Sequence, residues 1–176
     1  KGNLLNVTSL MNFKITKPGL DLYSYTGTTE EEYQENQLIN FLSNTNQNKK
    51  IKNTKIIFDK KINKLIISGS ENQLTSPKEY TVGTWWNHEI IQAKAQISAV
   101  SGRIIDQKVS FLGKEQINLY GKNYNALHFN FSSTDQSLPE NKKLNINVWY
   151  EEETNIWLKA SFDKTGHWEY RLKNIN

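Results

Sequence analysis

Three histidines, five tryptophans and no cysteine set the chemistry that this 176-residue chain can offer. Without cysteine there are no disulfides, no thiolate metal sites and no thiol nucleophile. His88 is the sharpest position, because it follows Trp85, Trp86 and Asn87 directly. An imidazole changes charge near neutral pH, so His88 at a barrel mouth would donate a hydrogen bond or carry a proton. At the start of a helix it would simply meet solvent. His128 shares a strand face with Tyr124 and points either into a cavity or into water. His167 lies beside a turn and is expected in solvent. The three histidines fall on separate elements without HxH or HxxxH spacing, so no metal site is expected.

Hydrolase chemistry needs a nucleophile, a base and an orienting group within hydrogen-bond reach. The chain has no G-x-S-x-G, and it lacks the glycine patterns of phosphate and dinucleotide loops. No cofactor is expected. Glu151, Glu152 and Glu153 are consecutive and read as a solvated turn rather than an acid–base pair. A hydrolase-type enzyme using His88 with a nearby Asp or Glu therefore ranks below a binding role.

The tryptophans carry the remaining signal, since indoles stack on flat or apolar ligands and also fill cores. Trp149 alternates with Ile146, Val148 and Tyr150, and Trp157 with Leu158, Ala160 and Phe162. Each ring thus falls opposite an aliphatic stripe. If the stripe is the core, the rings face a ligand, the helix or a partner. If the stripe is a barrel exterior packed by the N-terminal region, the assignment reverses. The candidate ligand-binding set is Trp85, Trp86, Asn87, His88, Tyr124, His128, Trp149 and Trp157.

The elements that must position these residues are strands. Period-two alternation predicts strands over Leu4–Ile15, Leu20–Gln34, Gln37–Thr45, Lys50–Lys60 and Lys64–Ser70. Lys17-Pro18-Gly19, Glu35-Asn36, Asn44–Asn48 and Lys61–Asn63 read as turns. The acidic run Glu30–Glu32 could begin a helix, but the Thr, Tyr and Gly before it favour continued strand. Ser70–Tyr80 reads as a loop. A short helix is expected near residues 86–95, capped by Asn87 with Glu89 at its positive end. Strands resume over Arg103–Leu112, Gln116–Tyr120, Tyr124–Phe131, Leu144–Tyr150, Ile156–Phe162 and Trp168–Leu172. Roughly nine to eleven strands joined by short polar turns make an up-and-down antiparallel meander. A sheet of that size tends to curl or close, and beyond about eight strands its interior can hold a cavity.

Composition fits this class. Hydrophobic residues make up 36% and aromatics 11%, enough for a folded core. The length suits one domain over 1–176. The net charge of +4 is spread out, its densest cluster being Lys49, Lys50 and Lys52 followed by Lys55, Lys60 and Lys61. These read as solvated strand faces. The aromatic-rich C-terminal half is not notably basic, so nucleic acid is not an expected partner. No apolar run approaches a membrane span. The chain opens on Lys1 rather than Met, which suggests a mature or trimmed form with a signal peptide removed.

The second half carries a resemblance. Trp85-Trp86-Asn87, the hairpin Ser98-Ala99-Val100-Ser101-Gly102, Val148-Trp149-Tyr150, Trp157–Phe162 and Glu169-Tyr170-Arg171-Leu172 occur in an order similar to a bacterial family of exported β-rich proteins. That family is known only as a domain of unknown function. The resemblance covers about residues 80–172, and the first eighty match in strand rhythm. His88 stands where the family's turn carries proline. The resemblance implies export, to a periplasm, and a calyx-like architecture, and it implies no reaction.

The expectation is therefore a mostly β, up-and-down barrel or half-barrel with a lipocalin-like calyx. It would hold an apolar or amphipathic, lipid-like molecule without turning it over. The alternative is a cell-envelope module that binds a protein partner.

Overall fold

The computed structural model describes residues 3–18, 20–69, 73–163 and 167–173; the side chains of 13–17, 20–22 and 141 are outside that description. The turn readings at Gly19 and 164–166, and loop residues 70–72, also lie outside it. The chain is mostly β and antiparallel, as the alternation predicts, and its described residues form thirteen strands in two sheets. It groups into two compact units, residues 1–81 with 97–104, and residues 82–96 with 105–176.

The first unit holds a six-stranded meander in chain order: β1 (Leu4–Lys17), β2 (Leu20–Gln34), β3 (Gln37–Gln47), β4 (Lys50–Asp59), β5 (Lys64–Ser68) and β6 (Leu74–Pro77). The acidic run is strand, as expected, and β6 is a short strand inside the segment read as a loop. Glu35-Asn36 and Asn48-Lys49 both have positive φ at both residues. Two-residue turns of that kind match the right-handed strand twist, which explains how such long strands reverse so tightly. One face is buried: Tyr33 from β2, Phe41, Ser43 and Thr45 from β3, Thr54 and Ile56 from β4, Leu65 and Ile67 from β5. The same alternation turns Glu31 inward, where it accepts a 2.8 Å hydrogen bond from the Tyr33 hydroxyl.

The loop within 97–104 lies against this face. Ser43 Oγ donates to the Ala99 carbonyl. Gly102 has φ +73, and a Cβ there would stand 2.9 Å from Ile67 Cγ2. At Gly69 a Cβ would stand 2.2 Å from the Ser101 carbonyl oxygen. The loop can settle on the sheet only because both glycines lack that atom.

In the second unit a seven-stranded sheet runs in reverse chain order from β13 to β7 and curls as a half-barrel. Its strands are β7 (Thr81–Val82), β8 (Ala95–Ile97), β9 (Ile104–Leu119), β10 (Lys122–Ser133), β11 (Asn145–Glu151), β12 (Trp157–Asp163) and β13 (His167–Arg171). The helix expected near 86–95 is a single 3-10 turn, His88–Gln92, and the chain is back in strand by Ala95. Arg103–Leu112 and Gln116–Tyr120, read as two strands, form the single strand β9. Its register shifts opposite His128/Phe129, where Gly113 takes φ +139. A bulge carries the strand through residues that break the period.

Buried side chains cover both faces of this sheet. Phe131, Val148, Tyr150 and Ala160 cluster on one face with Ile90 and Leu144. Ile117, Leu119, Ala126, Trp149 and Leu158 cluster on the other. Gly69→Ala is expected to lower stability by roughly 1–3 kcal/mol, because the methyl group meets backbone that cannot rotate away. Urea unfolding compared with Gly27→Ala, whose Cβ would meet only the Tyr25 side chain, checks this.

Candidate functional site

The non-strand segment after β7 is held by three polar anchors. Tyr150, buried on β11, donates from its hydroxyl to the Trp85 carbonyl at 2.8 Å. Burial pushes its phenol far above the ordinary 10.0, so it stays a donor. Trp85 itself has φ +63, a conformation a bulky residue adopts only when its surroundings impose it. Gln107, buried on β9, donates from Nε2 to the carbonyls of Ile90 and Ala93, both at 3.0 Å, and accepts from Gln96 Nε2 at 2.6 Å. Asn87 caps the 3-10 turn as expected, its Oδ1 accepting from the Glu89 amide at 3.1 Å.

His88 stands on this turn with its side chain 41% exposed and its Nε2 3.7 Å from Glu89 Oε1. That distance is beyond hydrogen-bond reach. Each described histidine has its own carboxylate neighbour: His88 has Glu89, His128 has Glu115 and His167 has Asp163.

Trp149 is the centre of a separate arrangement. Its cross-strand partners are His128 on β10 and Lys159 on β12. The His128 ring stacks on the indole at 4.1 Å and 17°, and the Lys159 ammonium lies 4.1 Å from the indole centroid. Trp149 Nε1 donates to Glu115 Oε1, which also lies 3.2 Å from His128 Nδ1. His128 Nε2 is 3.2 Å from Asn147 Oδ1. Lys159 continues the row to Glu169 at 3.3 Å, and Glu169 pairs with Arg171. The indole is only 6% exposed, so these neighbours already occupy its faces. Burial raises the Glu169 carboxyl, but the Arg171 hydrogen bond and the Lys159 and Arg171 charges outweigh that, leaving it below its ordinary 4.5.

The candidate residues therefore divide. Trp85 and Trp157 pack against the Phe131–Tyr150 cluster, while Tyr124 packs on the Trp149 side. The reading that set both Trp149 and Trp157 opposite the aliphatic stripe needs correction for Trp157. Lys159 pairs with Trp149 but Trp157 pairs with Tyr150, so the intervening Leu158 is an extra residue. That bulge turns Trp157 onto the aliphatic side. Trp86 and His88 are half-buried near Asn87. The indole N–H groups of Trp85 and Trp157 are buried without an acceptor. Each such donor costs about 1–3 kcal/mol, and a water or a ligand oxygen would offset it.

A concave site exists elsewhere in this unit. A cleft of about 640 Å³ opens at the β9–β10 and β11–β12 turns. Leu119, Tyr124, Ile156, Leu158 and Leu172 form its apolar wall, with Lys122 and Lys173 among the charged groups lining it. Of the candidates, only Tyr124 lines it, and the Lys122 ammonium lies 4.8 Å from the Tyr124 ring centroid. Glu151 also lines it but is committed to its own turn, accepting from the Thr154 hydroxyl, the Thr154 amide and the Glu153 amide. Those donors, the Thr154 hydroxyl first, hold its carboxyl below the ordinary value. Sequence reasoning missed the cleft because its wall is assembled from two turns and the chain end. Only Tyr120-Gly121, a positive-φ pair joining two apolar strands, marks the place.

A model of the family "Domain of unknown function (DUF6134)" matches residues 1–173. The chain belongs to this family. The match takes in the first eighty residues, where strand rhythm alone was legible. No curated protein and no solved structure is significantly similar to the chain. Among the described residues of this DUF6134 domain, no helix is long and apolar enough to cross a membrane.

Two outcomes test these contacts. Tyr150→Phe is expected to lose about 1 kcal/mol, since it removes one hydrogen bond and leaves the ring in place; thermal unfolding measures it. Glu169 ionises more readily in the fold than in the unfolded chain. Its contribution is therefore present above pH 4.5 and lost as pH falls through its lower folded value. Glu169→Gln should be less stable than the parent at pH 7, and the difference should shrink as pH falls progressively below 4.5, by urea midpoints across that range.

Proposed function

We propose that this domain binds a small amphipathic molecule, lipid-like in having an apolar body and a polar end, and does not transform it. The carrying observation is the cleft at the β9–β10 and β11–β12 turns, where leucine, isoleucine and tyrosine side chains converge beside Lys122, Lys173, Glu151 and Glu153. Ligand sites are typically concave and mostly apolar, with a few polar groups that fix orientation. The apolar body would lie on Leu119, Tyr124, Ile156 and Leu172, and an anionic or polar end would meet Lys122 and Lys173. The unpaired indole donors of Trp85 and Trp157 add a second place where an acceptor would be accommodated. Export to a periplasm, implied by the resemblance, would place such a protein among envelope lipids and their precursors.

A second reading, an envelope module that binds a protein partner, draws on a different observation. Phe111 and Leu112 are both 55% exposed at the β9 bulge. Exposed apolar groups that gather into a patch mark interaction surfaces.

The ligand reading is tested by native mass spectrometry of the purified protein after incubation with a panel of single-chain and two-chain lipids. The parent should retain at least one lipid, and Ile156→Asp, which puts a charge on the apolar wall, should weaken retention about tenfold, equivalent to about 1.4 kcal/mol. Lys122→Glu should weaken anionic lipids more than neutral ones. Retention by no lipid, or equal retention by parent and Ile156→Asp, rules the cleft out.

A further inference from the structure

We infer that the molecule held in the cleft has a zwitterionic head, carrying an ammonium and an anionic oxygen group together. This rests on the ligand reading and narrows it. Four charged side chains line the cleft, two of each sign: Lys122, Lys173, Glu151 and Glu153. Among the described residues none of the four forms an ion pair, with one another or with any other side chain.

The three consecutive glutamates of the β11–β12 turn are used differently. Glu151 accepts from the Thr154 hydroxyl, the Thr154 amide and the Glu153 amide, so its carboxylate holds the turn together. Glu152 pairs with Lys114 and does not line the cleft. Glu153 lines the cleft and is exposed, its carboxylate uncommitted. On the facing turn, Lys122 rests its ammonium on the Tyr124 ring. An exposed contact of that kind is weak enough for an incoming anion to draw the ammonium away.

Both turns are fixed before a ligand arrives. In the β9–β10 turn Tyr120 and Gly121 take φ +52 and +84. Asn118 Oδ1 accepts from the Gly121 amide at 3.1 Å, and Asn118 Nδ2 donates to Asn123 Oδ1 at 2.7 Å. The Glu152 amide donates to the Asn125 carbonyl at 2.9 Å, tying the other turn to β10, the strand that Lys122 begins. After the turn's own donors, led by the Thr154 hydroxyl, the Lys122 charge also lowers the Glu151 carboxyl. The two walls therefore lie within electrostatic reach of each other.

This arrangement selects by sign. An anionic head gains Lys122 and Lys173 but is repelled by Glu151 and Glu153, and a cationic head meets the reverse. A head with both charges pairs with both walls while its apolar body lies on Leu119, Ile156 and Leu172. Charge placed in this way serves discrimination more than raw affinity.

Amphiphiles that share one alkyl chain and differ in the head test the inference: phosphocholine and phosphoethanolamine, phosphate, trimethylammonium, and maltoside. Each is titrated into the protein below its micelle concentration, by isothermal calorimetry. At least one zwitterion should bind the parent about fivefold more tightly than the phosphate, the trimethylammonium or the maltoside. Glu153→Gln should weaken the zwitterion and the trimethylammonium about threefold and leave the phosphate no weaker. Lys122→Gln should weaken the zwitterion and the phosphate and leave the trimethylammonium no weaker. Both positions are exposed, so circular dichroism should show the fold unchanged. Tightest binding of the phosphate, the trimethylammonium or the maltoside overturns the inference, as does a zwitterion indifferent to both variants. If all heads bind alike and Ile156→Asp weakens them all, the cleft stands and the zwitterionic head does not. If no amphiphile binds the parent, the ligand reading falls with it.

Discussion

A strand can send each side chain to one of only two faces, and the choice alternates strictly until a bulge resets it. Most features of this protein follow from that constraint. In the first sheet it turns Glu31 into the buried face while Glu30 and Glu32 stay outside. In the second it lays Trp149, His128 and Lys159 side by side across three strands. One extra residue, Leu158, separates Trp157 from Trp149 and gives both faces of the second sheet an aromatic component.

Where the ladder stops, buried polar side chains take over its work. The segment from Trp85 to Ala93 has few backbone partners of its own. Tyr150, Gln107 and Asn87 supply them, each bonding to a main-chain group of the segment. Buried backbone groups left without partners would make the segment costly to fold. The Tyr150 phenol is suited to the task because burial keeps its proton in place. The segment around the tryptophan pair is thus held by polar contacts to its main chain, and the indole donors of Trp85 and Trp157 stay unpaired.

The cleft lies at the margin of the second sheet. The cleft gathers turn residues and the chain end around a short apolar wall. A cleft selects by shape and polarity. The cleft is compatible with a domain that works by binding.

Strand positions were legible because period two and two-residue turns are local properties. Leu20–Gln34 lies where alternation places it, and Glu35-Asn36 turns as its composition suggests. The Asn87 cap was legible for the same reason. What local pattern could not contain was the count of residues between paired positions on neighbouring strands. The bulges at Gly113 and Leu158 appear only when two strands are aligned, and they decide which residues face which way. Glu115 and Asn147 meet His128 across strand pairs, and the cleft wall spans residues from Gln116 to Lys173. The sequence by itself determined the class of structure, because hydrophobic alternation and turn chemistry act over a few residues. Tertiary structure decided the sites, because a site depends on register and curvature, which arise only when strands pair.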